Sequence, residues 1–470
     1  MLKVSLHLGC MPELTRQQVR SKTVKFKPKI AKSQPLRTPS AVAIDHCDFY
    51  YGPMFGKRWP SIRLGLLTPN KYVAVINTFS KNCDAHEDLL EQLNTLELLK
   101  KIRGKTALER IELKKKDVDS RAREDTKVFL ENMEGRDPEM PVNYCEDPVM
   151  RSEAGLGEFQ LPSHTSSIGD LQMGNSKAKG KDLEDFQVTG FESEGVELAR
   201  RDHFIYYPRE LRLRSYPRGV LSSFPPPVKD QNGIPSWWLL DGGSVVPVLA
   251  LGLEKGDSLL DICAAPGGKS LLSLLTMLPS KVVCNDFKLA RLGMLKRALS
   301  TYIPMDAAIC DMVILKRNDA SSLSAWNELN LYDKVSFALV NFIIGRLDHS
   351  GSEVPKSSDI CFSCCDTPKV LRLSYASNSL RSVKVGGSVV YSTCTLSSIQ
   401  NEAVVENAAA IADQKFGIRV IEESLSQLVN HLSSTGLYRF SDQCRTGALV
   451  LPYLPSNFGP MYVCKLTRLK

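Results

Sequence analysis

The stretch that most constrains this chain reads Ser-Leu-Leu-Asp-Ile-Cys-Ala-Ala-Pro-Gly-Gly-Lys-Ser, from Ser258 to Ser270. Leu259 to Cys263 is a short apolar run of the kind that forms a buried parallel strand. Pro266, Gly267 and Gly268 stop it, and Leu271, Leu272, Leu274 and Leu275 continue as an apolar helical run. Strand, glycine turn and helix open a ligand-binding α/β unit, because glycine lets backbone approach a ligand with no Cβ between them.

Three ligand classes compete for such a loop. A phosphate-binding P-loop also ends in Gly-Lys-Ser, but it needs a glycine five residues before that Gly. Cys263 occupies the position, which argues against an NTPase. A dinucleotide fingerprint needs G-x-G-x-x-G, and only the adjacent glycine pair is present. S-adenosylmethionine remains. Val282-Val283-Cys284-Asn285-Asp286 is a second short apolar run that ends in an acid. It lies about twenty residues beyond the glycines, where an acid can hold ribose hydroxyls. The spacings alone leave a second reading open, a plain βα turn followed by a surface acid.

From residue 255 the pattern alternates. Strands are predicted at 258–263, 281–286, 307–311 or 312–316, 333–340 and 388–394, with helical runs between them. Such alternation gives a doubly wound parallel α/β sheet that binds ligands at the carboxyl ends of its strands. Gly267, Asp286 and the residues after Val390 then share one rim. Ala448 to Leu451 and Met461 to Leu466 read as a closing antiparallel hairpin.

The 470 residues leave room for two or three domains. A net charge of +8 tilts toward an anionic partner. The 13 cysteines have no repeating spacing, which argues for reduced thiols inside a cell. No apolar run approaches the roughly 20 residues of a membrane-spanning helix. Residues 1–40 are basic, hydroxyl-rich and nearly free of acids, as in a mitochondrial transit peptide that is cleaved; a basic RNA-binding arm is the alternative. Residues 41–132 form a smaller N-terminal accessory region with RNA-contacting potential, and 133–200 a disordered insertion or linker. The catalytic unit is expected over 201–470.

Within these regions, Ile62 to Leu67 and Tyr72 to Ile76 suggest a strand and then a short helix around the Thr68-Pro69-Asn70 turn. Leu89, Leu93, Leu96 and Leu99 recur at a helical period, and Trp237 to Leu253 reads as a helix. Between Arg201 and Arg218, Phe204, Tyr206, Tyr207 and Tyr216 interleave with arginines. That pattern suits bases stacked on rings and phosphates met by guanidinium groups, or an ordinary amphipathic strand pair.

A second site follows Gly387-Ser388-Val389-Val390-Tyr391-Ser392-Thr393-Cys394-Thr395. Cys394 would project from a strand end onto the ligand rim, where a stabilised thiolate is a nucleophile. A small buried thiol is the plainer reading. Taken together, Asp261-Ile-Cys-Ala-Ala-Pro-Gly-Gly-Lys269 and Ser392-Thr-Cys-Thr395 resemble the NSUN (Nop/Sun) family of RNA cytosine-C5 methyltransferases. Phe55-Gly56 through Trp59-Pro60-Ser61-Ile62-Arg63, Pro247 to Leu253 and Asn457-Phe458-Gly459-Pro460-Met461-Tyr462 are similar to its mitochondrial small-subunit ribosomal RNA branch.

The resemblance implies a Rossmann-like class I methyltransferase in the mitochondrial matrix, with S-adenosyl-L-methionine as donor, ribosomal RNA as substrate and an mTERF-type helper protein. It implies Cys394 as catalytic nucleophile. Cys263, Ala264, Ala265, Pro266, Gly267, Gly268 and Lys269 would cradle the cofactor, with Asp286, Arg291 and Asp319 (or Asp311) beside it. The chain departs from the family at one place. Tyr332-Asp333-Lys334-Val335 is followed by Ser336-Phe337-Ala338-Leu339-Val340-Asn341, and the family's Asp-x-Pro-Cys is absent. The nearby Cys361-Phe362-Ser363-Cys364-Cys365 has one C-x-x-C and no second pair, a weak zinc signal.

Overall fold

The computed structural model describes residues 39–100, 102, 198–202, 204–220, 222–304, 308–339 and 369–470. The expectations for the leader, the insertion and the cysteine cluster at 361–365 fall almost wholly outside them.

The chain opens with α1 (Pro39–Phe55), α2 (Trp59–Leu67), β1 (Tyr72–Ile76), α3 (Cys83–Gln92) and β2 (Leu96–Glu97). After the 101–197 region come β3 (Arg200–Asp202), β4 (Leu213–Ser215), β5 (Trp237–Asp241) and α4 (Val245–Leu251). The alternating part comprises β6 (Ser258–Asp261), α5 (Gly268–Leu275), β7 (Lys281–Asn285), α6 (Leu289–Tyr302), β8 (Val313–Lys316) and β9 (Tyr332–Leu339). It continues with α7 (Lys369–Ser382), β10 (Val383–Thr393), α8 (Glu402–Phe416), β11 (Val420–Ser424) and α9 (Ser426–Ser434), and ends with β12 (Ala448–Val450) and β13 (Met461–Arg468).

The large sheet has the order β3-β11-β13-β10-β9-β6-β7-β8, with β12 paired to β13. Strands β10, β9, β6, β7 and β8 are mutually parallel. β13 runs antiparallel to β10, β11 and β12, so the terminal hairpin forms as expected. The chain enters at β6, winds outward through β7 to β8, then returns to β9 on the other side of β6. That reversal is the topological switch point where a doubly wound sheet opens a crevice.

Successive strand residues feed opposite layers, as a two-residue period requires. Leu259, Val282, Cys284, Val390 and Val463 pack into one core with α4, α5 and α6. Leu260, Val283, Val389, Tyr391 and Tyr462 pack into the other with α7 and α8. Coverage on both faces is why these strands read as continuous apolar runs.

The N-terminal helices are part of this second layer. Tyr51, Phe55 and Trp59 stand four residues apart, and all three are buried with Leu449 and Tyr462. Tyr51 and Phe55 ring centroids are 6.2 Å apart, and those of Phe55 and Trp59 6.4 Å. The indole Nε1 of Trp59 donates to Asp48 at 2.7 Å.

A smaller antiparallel sheet has the order β2-β4-β1-β5. Its central β1 comes from the segment before residue 133 and its flanking β4 and β5 from the segment after 201. Ala74, Ile76 and Trp237 pack on Cys83 and Leu90 of α3, while Val73, Val75, Leu213 and Trp238 join the first main core.

Four local expectations change. Residues 62–67 lie in a helix and 72–76 in a strand, the reverse of the expected order. Pro60 stands in the first turn of α2, where a missing N–H leaves no gap, and Val73 and Ile76 suit a pleated strand. Trp237–Leu253 splits into β5 and α4, with Pro247 in the first turn of α4. The leucine stripe does not run along one buried helix face, since α3 ends at Gln92 and Leu89, Leu93 and Leu96 are exposed, while Leu90 and Leu99 are buried.

In the aromatic and basic stretch Tyr207 and Tyr216 are buried, while Tyr206 is exposed. The Tyr207 hydroxyl lies 3.0 Å from His431 Nδ1. Arg212 binds Glu87 at 2.9 Å and also Asp84, and Arg214 reaches Glu87 at 2.7 Å and Glu91 at 3.1 Å. Part of the alternation therefore has a packing reason: Tyr207 and Tyr216 enter the core, and Arg212 and Arg214 meet α3 carboxylates.

Candidate active site

The crevice is built at the ends of β6, β7 and β8. β6 ends at Asp261, whose Oδ2 accepts a hydrogen bond from Ser270 Oγ at 2.6 Å. Its Oδ1 is buried with no hydrogen-bond partner. Burial pushes this carboxyl up to about 6. In the loop that follows, Ala264 and Ala265 are buried, Cys263 is half-buried and Pro266 is exposed. Burial and the carboxylates of Asp286 and Asp261 drive the Cys263 thiol far above its usual range, so Cys263 is a neutral wall and not a nucleophile.

Gly267 turns this loop into α5. Its φ of +117° is open to glycine, and a Cβ there would lie 2.9 Å from Leu295 Cδ1. At Gly268 a Cβ would lie 2.8 Å from Leu240 Cδ1. Close packing behind the turn keeps backbone, not side chains, on the crevice. Lys269 Nζ donates to Ser244 Oγ at 3.4 Å, and its charge also favours the ionised forms of Asp241 and Asp261 against their burial.

Asp286 directly follows β7 and is buried. Its Oδ1 accepts the Lys288 amide at 3.1 Å. Its Oδ2 has no hydrogen-bond partner, and Arg291 Nη2 stands 3.5 Å away. The same Arg291 nitrogen donates to the Ala265 carbonyl at 2.6 Å. Arg291 thus ties the first loop to the acid of the second. Asp319 follows β8 onto the same rim and accepts Ser321 N at 2.9 Å and Ser321 Oγ at 2.6 Å. Asp311 precedes β8 and lies toward the other end of that strand.

Three contributors escaped the sequence reading. Asn285 is buried; its Nδ2 donates to the carbonyls of Ile262 at 3.1 Å and Asn318 at 3.0 Å, and its Oδ1 accepts Asn318 N at 2.8 Å. One amide therefore fixes the loops after β6 and β8. Its only sequence signal was its place beside Asp286. Tyr375 of α7 stacks on Phe337 at 5.6 Å. Burial foremost, with the Asp319 and Asp286 carboxylates within electrostatic reach, raises its hydroxyl above the usual phenol value. Nothing in its neighbourhood in the sequence marked it.

Asn401 is the third. Cys394 is half-buried immediately beyond β10. Asn401 Nδ2 donates to the Thr395 carbonyl at 3.0 Å, and Asn401 Oδ1 accepts from the Thr393 hydroxyl. The Ser397 amide donates to Thr395 Oγ1 at 3.1 Å. The residues on both sides of Cys394 are thereby held by one buried amide. β10 and β6 are each hydrogen-bonded to β9, so Cys394 and the β6 loop stand two strands apart on one rim.

The crevice offers two buried carboxylate oxygens without hydrogen-bond partners, a side-chain-free turn and the N-terminus of α5. It fits a ligand bearing sugar hydroxyls at one end and an α-ammonium and α-carboxylate together at the other, the groups that S-adenosylmethionine carries. The segment following β9, where Asp-x-Pro-Cys is absent, lies at 340–368 outside the described residues.

Comparison with known proteins agrees with this geometry. The model of the 16S rRNA methyltransferase RsmB/F family matches residues 248–429. Over 464 residues the chain is 55% identical to "5-cytosine rRNA methyltransferase nsun-4" of Caenorhabditis elegans, covering 96% of this chain and 97% of that protein. It is 32% identical over 454 residues to "5-cytosine rRNA methyltransferase NSUN4" of Xenopus laevis, with 95% of each chain covered. Similarity along nearly the whole length, on a Rossmann-like class I sheet with this crevice, means that the chain belongs to the NSUN4-type family of S-adenosylmethionine-dependent 5-cytosine rRNA methyltransferases.

Proposed function

We propose that the chain methylates C5 of cytosine in mitochondrial small-subunit ribosomal RNA through a covalent bond to Cys394. The observation that carries this reading is the shared rim: Cys394 and the Cys263–Lys269 loop follow strands that both pair with β9. A base lying over β9 would be reached from both sides. The names of the C. elegans and X. laevis relatives support rRNA as substrate. The basic, hydroxyl-rich residues 1–40 support import into the mitochondrial matrix, and the family resemblance supports an mTERF-type helper.

Cytosine C5 is a weak nucleophile. Addition of the Cys394 thiolate to C6 moves electron density onto C5 and splits one hard step into easier ones. When bound, S-adenosylmethionine supplies an electrophilic methyl group on a sulfonium. Loss of the C5 proton restores the C5–C6 double bond, breaks the C6–S bond and returns the thiolate. The base must leave its stack for the thiolate to reach C6. Asp286 would hold the ribose hydroxyls of the donor and Asp319 the adenine edge. Gly267, Gly268, Lys269 and the α5 N-terminus would hold the methionine carboxylate, with Arg291 keeping the loop in register.

One observation favours a second reading, an RNA-binding ribosome assembly factor that does not complete the cycle. β9 runs out through Ala338 and Leu339 into Val340-Asn341, where the family carries Asp-x-Pro-Cys. Methyl incorporation into a mitochondrial small-subunit rRNA transcript, by the full chain and by Cys394→Ala, separates the two. The enzyme reading expects incorporation that the variant abolishes. Equal incorporation by both removes Cys394 from the mechanism. Cofactor binding without any incorporation selects the assembly factor.

A further inference from the structure

The connection from β8 to β9 runs from Arg317 to Leu331 with no helix or strand of its own, and it carries Asp319 near its start. Such a segment has no ladder to satisfy its carbonyls, so donors must reach it from outside. Helix α7 supplies several. It is covered yet polar: Ser374, Ser377, Asn378, Ser379 and Ser382 are all buried. Covered polar groups cost stability unless they are partnered, and much of this face is partnered by the β8–β9 connection.

Asn378 is the centre of that contact, and it is fully buried. Its Nδ2 donates to the carbonyls of Ala320 at 2.9 Å and Ser322 at 3.0 Å. Arg381 Nη1 donates to Asn378 Oδ1 at 2.8 Å and to the Leu323 carbonyl at 2.8 Å. With its oxygen accepting and its nitrogen donating twice, the amide has one orientation. Trp326 Nε1 donates to Ser382 Oγ at 2.8 Å, which fastens the middle of the connection to the same helix.

Asp319 stands between two such anchors. Asn285 holds Asn318 on one side, and Asn378 holds Ala320 on the other. Both bonds to the Asp319 carboxylate come from Ser321 and fall on Oδ1. Asp319 is half-buried, and its Oδ2 has no hydrogen bond among the described residues.

We infer that Asn378 is a positioning residue that sets the base specificity of the methyl-donor site: by fixing the backbone just past Asp319, it keeps Oδ2 turned to the 6-amino group of adenine. The inference rests on the placement of Asp319 at the adenine edge given above. A carboxylate only accepts, so it matches a 6-amino group and opposes the lone pairs of a 6-oxo purine. A site built around one such bond rejects the analogue that cannot make it. Asn378 does not touch the donor. Its loss therefore relaxes the choice of base and leaves the rest of the donor's contacts in place.

The test measures affinities of the full chain for S-adenosylhomocysteine and S-inosylhomocysteine by calorimetry. Wild type should prefer the adenosyl ligand, and Asp319→Ala should lose that preference. Asn378→Ala should lower the preference about tenfold by weakening the adenosyl ligand alone, with inosyl affinity unchanged. Should Asn378→Ala not melt cooperatively, Asn378→Ser, which keeps a donor, is read in the same way. In an Asp319→Ala background, Asn378→Ala should change neither affinity further. A preference that survives Asp319→Ala overturns the adenine reading and the inference with it. A preference lost in Asp319→Ala but intact in the Asn378 variant overturns the inference alone. Equal weakening of both ligands does so too, because it marks a general structural role.

Discussion

Asp261 ends the central strand with a buried carboxylate, one oxygen of which has no hydrogen-bond partner. Its carboxyl titrates near 6 in the folded chain against the ordinary 3.8, chiefly because of burial. Between those values the folded chain holds the extra proton, so this group's contribution to stability falls as pH rises through the window. Asp261→Asn keeps an acceptor for Ser270 and removes the buried charge. We expect it to raise stability at pH 8 by about 1–3 kcal/mol, with the gain vanishing below about pH 4. Denaturant melts at the two pH values check this, and a variant no more stable at pH 8 removes the buried-charge argument. The residues that carry chemistry in the sequence were short and contiguous, so Asp261–Lys269 and Ser392–Thr395 could be found by eye. Asn285 could not, because its partners are carbonyls 23 and 33 residues away.

At the scale of elements, legibility followed burial. β6, β7, β9 and β10 are covered on both faces and appear as apolar runs whatever their neighbours are. β5 was misread as helix because periodicity does not separate a short buried strand such as Trp237-Trp238-Leu239-Leu240 from a helix, although Asp241-Gly242-Gly243-Ser244 breaks it from the apolar α4. The strand-to-helix connection after β10 shows what such elements do for the site. Asn401 leads into α8 and reaches back to Thr393 and Thr395, so the helix start and the strand end form one unit. Asn401→Ala should loosen the Cys394 backbone without touching the β6 loop. We expect kcat to fall roughly 10- to 100-fold, the scale set by small misplacements of a reacting group. KM for the methyl donor should stay the same. A joint rise in that KM, or a kcat equal to wild type, would show that Asn401 does not position the nucleophile.

The whole molecule does not divide where composition changes. The 133–200 region separates two sequence blocks, yet the small sheet joins them: β1, from the first block, is the central strand between β4 and β5 of the second. Its residues Val73 to Ile76 are fully buried, and Trp237 and Trp238 pack on opposite faces of the same sheet. Tyr51, Phe55, Trp59 and Ile62 meanwhile complete the core over α8 and β12. A fragment of residues 201–470 therefore lacks a central strand and one wall of a core. Each fully buried large apolar side chain contributes about 1.5–3 kcal/mol, so losing several exceeds the ordinary stability of a domain, about 5–15 kcal/mol. The fragment should be insoluble or bind hydrophobic dyes without a cooperative melt. Adding a second chain of residues 39–100 should restore a cooperative transition and donor binding, because β1 and the two helices dock through buried faces. Calorimetry of 201–470 alone and with that partner decides the matter. A fragment that melts cooperatively by itself would show that the N-terminal block is an appendage to the catalytic sheet and not part of its core.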